Sequence, residues 1–248
     1  MHDFTNLAWP EAPFGADQRP FGKRCAILAA LAFDWAPASD GEPVPAAVAT
    51  VYLRIRRDGT TLEVTDETLA IGFRVTTIES LAEVQALLQL TDRAVTRARR
   101  HAAVLAGHRF EDELAQLAAL SSDSLRGIAG VRSEWPGRSA KVGGIAQMVD
   151  TGFEAADAPG ALHIPLLGDA GEGGDASQNA MAPVHSTLTR CLAVGMAAAA
   201  HLARYRWDGT FRTGHAIERA GWDVLPGRLP KEPTAGDPCH SGAVALRG

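Results

Sequence analysis

Asp34 ends a continuous apolar run, AILAALAFDW over 26–35, and is the first acid after the apolar stretch. A second acid, Asp112, follows the small-residue run AAVLAG (102–107) within LAGHRFEDEL, four residues after His108. In α/β sheets functional groups gather at the carboxyl ends of strands, and carboxylate oxygens placed there suit hard divalent cations. Two further residues mark the same kind of place: Asp150, within the tripeptide VDT at 149–151, and His185, which precedes the small-residue stretch CLAVGMAAAA. Trp35, beside Asp34, offers a ring on which a base could stack, a contact worth about 1–3 kcal/mol. Each also has a plainer use. Asp34 suits a strand-end turn or helix cap, Asp112 a first helical turn where it complements the dipole, His185 a cap or surface position, and Trp35 the core. Glu42, Glu111, Glu113, Asp150, Asp169 and His163 lie on segments that could reach the same place, although isolated acids are more often solvated surface groups.

The elements that must position these residues follow from periodicity. The run ending at Asp34 has the continuous apolar character of a central strand buried on both faces. AVATVYLRIRR (47–57) and TLEVTDETLAIGF (61–73) alternate as strands do, with Asp58-Gly59 as a hairpin signal between them. Together they predict an antiparallel meander of three strands. Leu81, Val84, Leu87, Leu88, Val95 and Ala98 recur at helical spacing over 79–100. A short buried strand at 102–107 and a helix at 110–120 come next, then a strand over 139–149 that ends at Asp150-Thr151. Residues 154–183 are loop-rich by composition, and a long helix over 187–205 carries small residues on its packing face. Residues 1–22, rich in Pro and Gly, are expected to form an extended arm and 221–248 a flexible tail, leaving 23–220 as the folded domain.

Composition narrows the function classes. The chain has 248 residues, 46% of them hydrophobic, enough for one sizeable core. Three dispersed cysteines, Cys25, Cys191 and Cys239, form neither a disulfide framework nor a CxxC knuckle and favour a reducing compartment. No export signal or membrane-length apolar run is visible, so a cytoplasmic location without membrane contact is expected. The net charge of −5 provides no global attraction for nucleic acid. Local basic faces exist at Arg54 with Arg56, at strand spacing, and at Arg93, Arg97 and Arg100, at helical spacing. Phosphate loops, GxGxxG, GxSxG and HExxH are absent.

The order of strands and helices over about 26–210, with FDWAP, LAGHRFEDEL, VDT and His185, resembles the His-containing branch of the DEDD 3′→5′ exonuclease superfamily. That resemblance implies a ribonuclease-H-like α/β fold, an antiparallel meander extended by parallel strands in one mixed sheet flanked by helices. It also implies a nuclease site. Asp34 and Asp112 would hold Mg2+ or Mn2+, Asp112 and His185 would serve catalysis with His185 deprotonating the attacking water, and Trp35 and His108 would contact substrate. The partner would be the end of a single-stranded nucleic acid, or a nucleotide. The chain departs from the pattern at two points. Ala36 stands where the first motif has glutamate, and Arg190, five residues after His185, where the last has aspartate. Losing two carboxylates and adding a cation opposes binding of a metal pair. The expectation is therefore weak or lost phosphodiester hydrolysis, with a non-catalytic module for a protein or small ligand as the alternative.

Overall fold

A computed structural model describes residues 1–7, 25–37, 41–56, 58–134, 147–151, 161–163, 182–221 and 224–225. The chain is an α/β protein built on one six-stranded mixed sheet. Its strands are β1 (His2–Thr5), β2 (Cys25–Pro37), β3 (Pro43–Arg56), β5 (Ile71–Thr77), β6 (Val104–Gly107) and β7 (Gln147–Asp150), in the spatial order β1-β5-β3-β2-β6-β7. β1, β5, β3 and β2 pair antiparallel in that order, whereas β2, β6 and β7 run parallel.

β2 sits in the middle and is apolar on both faces. Leu28 and Ala30 point to one side of the sheet, and Ile27, Ala29, Leu31 and Phe33 to the other. The first face is covered by α4 (Ala182–His201), whose Leu188, Cys191 and Leu192 are fully buried. The second is covered by α1 (Val84–His101), α2 (Phe110–Leu120) and α3 (Arg126–Glu134). Two residues need to be glycine for these layers to close. A Cβ on Gly127 of α3 would lie 2.2 Å from the Thr96 hydroxyl and 2.5 Å from the Asp92 carbonyl of α1. One on Gly107, at the end of β6, would lie 2.3 Å from the Phe110 ring.

The meander differs from the sequence expectation in where its third strand lies. A turn does follow β3, with Gly59 at φ +84, but residues 61–73 do not return along it as one strand. Leu62–Glu63 (β4) instead pair in parallel with Tyr205–Arg206 (β9), and the sheet strand begins only at Ile71. The segment between is held as a turn, because Thr68 Oγ1 accepts from the Thr65 amide at 3.1 Å and Asp66 is bound by Arg212 at 2.8 Å.

α4 starts five residues earlier than its periodicity predicts and stops four earlier. Its C-terminus closes where Ala203 adopts φ +52 and the Arg204 amide reaches back to the Ala199 carbonyl at 2.7 Å, a left-handed cap. Tyr205 is thereby freed to join β9. α3 has no counterpart in the sequence reading, and neither do β10 (Thr210–Arg212), which pairs in parallel with β8 (Ala161–His163), and α5 (Thr213–Ala220). The first residues of the expected arm form β1, while 8–22 lie outside the described residues, as do 139–146, 154–160, 164–181 and the tail from 226. Among the described residues no helix is long and apolar enough to cross a membrane.

Candidate functional site

Because β2, β6 and β7 are parallel, their carboxyl ends open on the same edge of the sheet. They bring together Asp34 and Trp35, His108, and Thr151. A register shift between Asp34 and Trp35 bends β2 there, so that Asp34 pairs with Ala47 and Trp35 with Pro45. Beneath this edge lies a cavity of about 360 Å3, lined on one side by Leu31, Phe33 and Phe110 and on the other by Ala193, Val194 and Ala197 of α4. His108, Glu113, Thr151 and Arg190 supply its polar groups.

Asp34 is held by α4. The Arg190 Nη2 donates to Asp34 Oδ1 at 2.8 Å and to the Phe33 carbonyl at 3.1 Å. The Arg190 side chain remains 42% exposed, yet its Nε–H is enclosed and meets no acceptor among the described residues. The guanidinium thus anchors on the strand end and keeps donor capacity in reserve. Trp35 turns to the first turns of α2, where its indole N–H donates to Glu113 Oε2 at 2.9 Å. Burial raises the Glu113 carboxyl above the ordinary glutamate range, against the opposing pull of Trp35, Arg190 and Arg109.

The other acid of the sequence pattern lies elsewhere. Asp112 projects into solvent on α2 and pairs with Arg109 three residues before it, at 3.2 Å, both side chains about two-thirds exposed. Asp34 and Asp112 therefore each hold a different arginine. Asp150 is fully buried and caps α2, accepting from the backbone amides of Arg109 and Phe110, both at 2.9 Å. This capping accommodates Arg109 in the left-handed region at φ +47. His108 is exposed at the mouth of the cavity, with Nδ1 3.3 Å from the Thr151 hydroxyl. His185 sits on the first turn of α4 and does not line the cavity. Burial holds it below its ordinary 6.5, and its charged neighbour is Glu218 of α5. Glu111 is exposed, and Asp169 lies outside the described residues.

These residues do not fit a divalent metal centre. Among the described residues no three His, Cys, Asp or Glu side chains come together as a ligand set. The one acid at the end of β2 already has a cationic partner. A divalent ion seated about 4 Å from that guanidinium would meet a repulsion of about 8 kcal/mol at an effective dielectric constant of about 20. What the site offers instead is a fork-shaped cation at the rim of an apolar cavity, with an aromatic ring, a histidine and a hydroxyl beside it, an arrangement suited to a ligand with an anionic head and a flat or apolar body.

Glu113 is the inward-facing residue that the acid pattern passes over, and a signal for it exists in the sequence. Phe110, Leu114 and Leu117 are the buried stripe of α2; position 113 falls at the edge of that stripe, three residues after Phe110, and position 112 on the opposite face of the helix. Arg190 stands out in the sequence only as a cation in place of the last motif's aspartate; its pairing with Asp34, 156 residues away, has no local signal. Against known protein families, curated proteins and solved structures, the chain matches none.

Proposed function

We propose that this is a ribonuclease-H-like domain that binds the ends of single-stranded nucleic acids, or nucleotides, in the cleft at the carboxyl ends of β2, β6 and β7, with metal-dependent hydrolysis weak or lost. An antiparallel meander continued by parallel strands agrees with that fold. The observation that carries the functional reading is the Arg190–Asp34 pair at 2.8 Å. It puts a fixed positive charge at the strand end where the resemblance would place a cation. In this reading Arg190 receives a phosphate of the ligand, and the apolar cavity receives a base. The volume of about 360 Å3 falls within the roughly 300–1,000 Å3 of small-molecule sites.

The test is calorimetric titration with a nucleoside monophosphate in the presence of a chelator. The wild type should bind, and Arg190→Ala should lose about 2 kcal/mol of affinity, the contribution of a charge-assisted hydrogen bond. Arg190→Lys should recover part of it, because the charge is kept and the fork is lost. A silent wild-type titration contradicts the reading. The predominance of Leu31, Phe33, Phe110, Ala193 and Val194 in the walls favours a second reading, a non-catalytic module for an apolar small ligand. In that case displacement of a hydrophobic dye by apolar compounds would be indifferent to Arg190→Ala.

A further inference from the structure

Between α1 and the outer antiparallel strands lies a second cavity, of about 200 Å3, on the sheet face opposite α4. Arg93 and Arg97 enter it from α1, one helical turn apart, and Arg74 and Thr76 from β5, with Tyr52 and Thr50 of β3 at its base. The three arginines are not equivalent. Arg74 is already bound through two nitrogens to Asp3 of β1, at 2.8 and 2.7 Å, and the Thr76 hydroxyl donates to the same carboxylate at 2.8 Å. Arg93 and Arg97 pair with no carboxylate among the described residues. Tyr52 is nearly buried, and burial pushes its phenol up to about 12, so its hydroxyl remains protonated near neutral pH. Among these groups the cavity carries two uncompensated guanidiniums in a chain whose net charge is −5.

We propose that Arg93, Arg97 and Arg74 form a binding site for a phosphate group, separate from the cleft at the strand ends and independent of the nucleotide reading. Size and charge both select this ligand chemistry. A volume of about 200 Å3 falls short of the roughly 300–1,000 Å3 that whole small molecules occupy, so the occupant is a compact group. Arg93 and Arg97, which meet no carboxylate among the described residues, match in charge a phosphate of about −1.5 to −2 near neutral pH, and the planar guanidinium fork matches its oxygens. The buried stripe of α1, which includes Leu87, Leu88, Val95 and Ala98, does not include Arg93 or Arg97. The two arginines can therefore be replaced without opening the core.

The experiment is titration of the full chain with inorganic phosphate, in a phosphate-free buffer at low salt, read by calorimetry. The wild type should bind one phosphate, and R93A/R97A should weaken binding by about tenfold or more, as expected for loss of charge-assisted bonds. Arg100→Ala, which removes one such charge from an exposed position on the same helix outside the cavity, should leave binding within about twofold. A second arm compares a 5′-phosphorylated single-stranded oligonucleotide with its hydroxyl-ended form. Tighter binding of the phosphorylated form that is lost in R93A/R97A assigns the site to a phosphate carried on nucleic acid; binding of inorganic phosphate alone assigns it to the free ion. A wild type that binds neither probe, an R93A/R97A variant that titrates like the wild type, or an Arg100→Ala variant that loses as much, overturns the proposal.

Discussion

Arg190 and Glu113 reach the end of β2 from opposite sides, one ion-paired to Asp34 and the other hydrogen-bonded to Trp35. Glu113 and His185, both shifted by burial, act in opposite directions with pH. The folded-state pKa of Glu113 is raised, so the protonated form is favoured on folding. Stability from this group is present below the unfolded glutamate value and is lost as pH rises through the folded one. Glu113→Gln keeps an acceptor for the Trp35 indole and removes the titration. Urea unfolding between pH 4 and pH 7 should then show a flatter decline than the wild type. His185 is depressed, so the neutral ring is favoured, and its contribution is present above the ordinary 6.5 and lost as pH falls through the window below it. His185→Gln should remove that acid-side loss in the same unfolding series. Neither group was legible as perturbed from the sequence, because burial of a single side chain depends on helix phase and on partners distant in the chain. Asp112 illustrates the point: it matches the acid pattern, yet one residue is about 100° of helix, and that rotation leaves it in solvent.

At the scale of elements, β2, α1, β6 and α2 were readable because each buries residues at its own period. β2 has the two-faced apolar run of a central strand, and α1 buries Val84, Leu87, Leu88, Val95 and Ala98. The elements missed were those whose stability is tertiary. α3 is nine residues long, contains Gly127 and Gly130, and is tied to α1 by the Arg99–Glu134 ion pair and by the close approach at Gly127. No local pattern announces such a helix. The α2 cap gives the clearest test of how the site is positioned. Asp150→Ala leaves the part-buried Arg109 amide and the buried Phe110 amide without their carboxylate acceptor and should cost about 2 kcal/mol in urea unfolding. Gly127→Ala should cost about 1–3 kcal/mol in the same measurement, because the backbone of α1 rather than a flexible chain end meets the new methyl.

For the molecule as a whole, the net charge of −5 provides no general field for nucleic acid, so the binding proposed above would rest on local cations. The dependence of binding on salt should therefore be shallow. With one phosphate held at Arg190, the logarithm of affinity for a single strand should fall with the logarithm of salt at a slope of about −0.7, and a second phosphate at Arg93 and Arg97 would about double it. In the proposed reading the Arg190 guanidinium takes the place of a divalent ion at the end of β2. The most direct test of that reading is the fluorescence anisotropy of an end-labelled single-stranded oligonucleotide, titrated with the protein first in chelator and then in Mg2+ or Mn2+. If Arg190 holds the phosphate, affinity should be the same in both, binding should be lost with Arg190→Ala, and the oligonucleotide should stay intact. Binding that requires the metal, or cleavage abolished by Asp34→Asn, would contradict that reading.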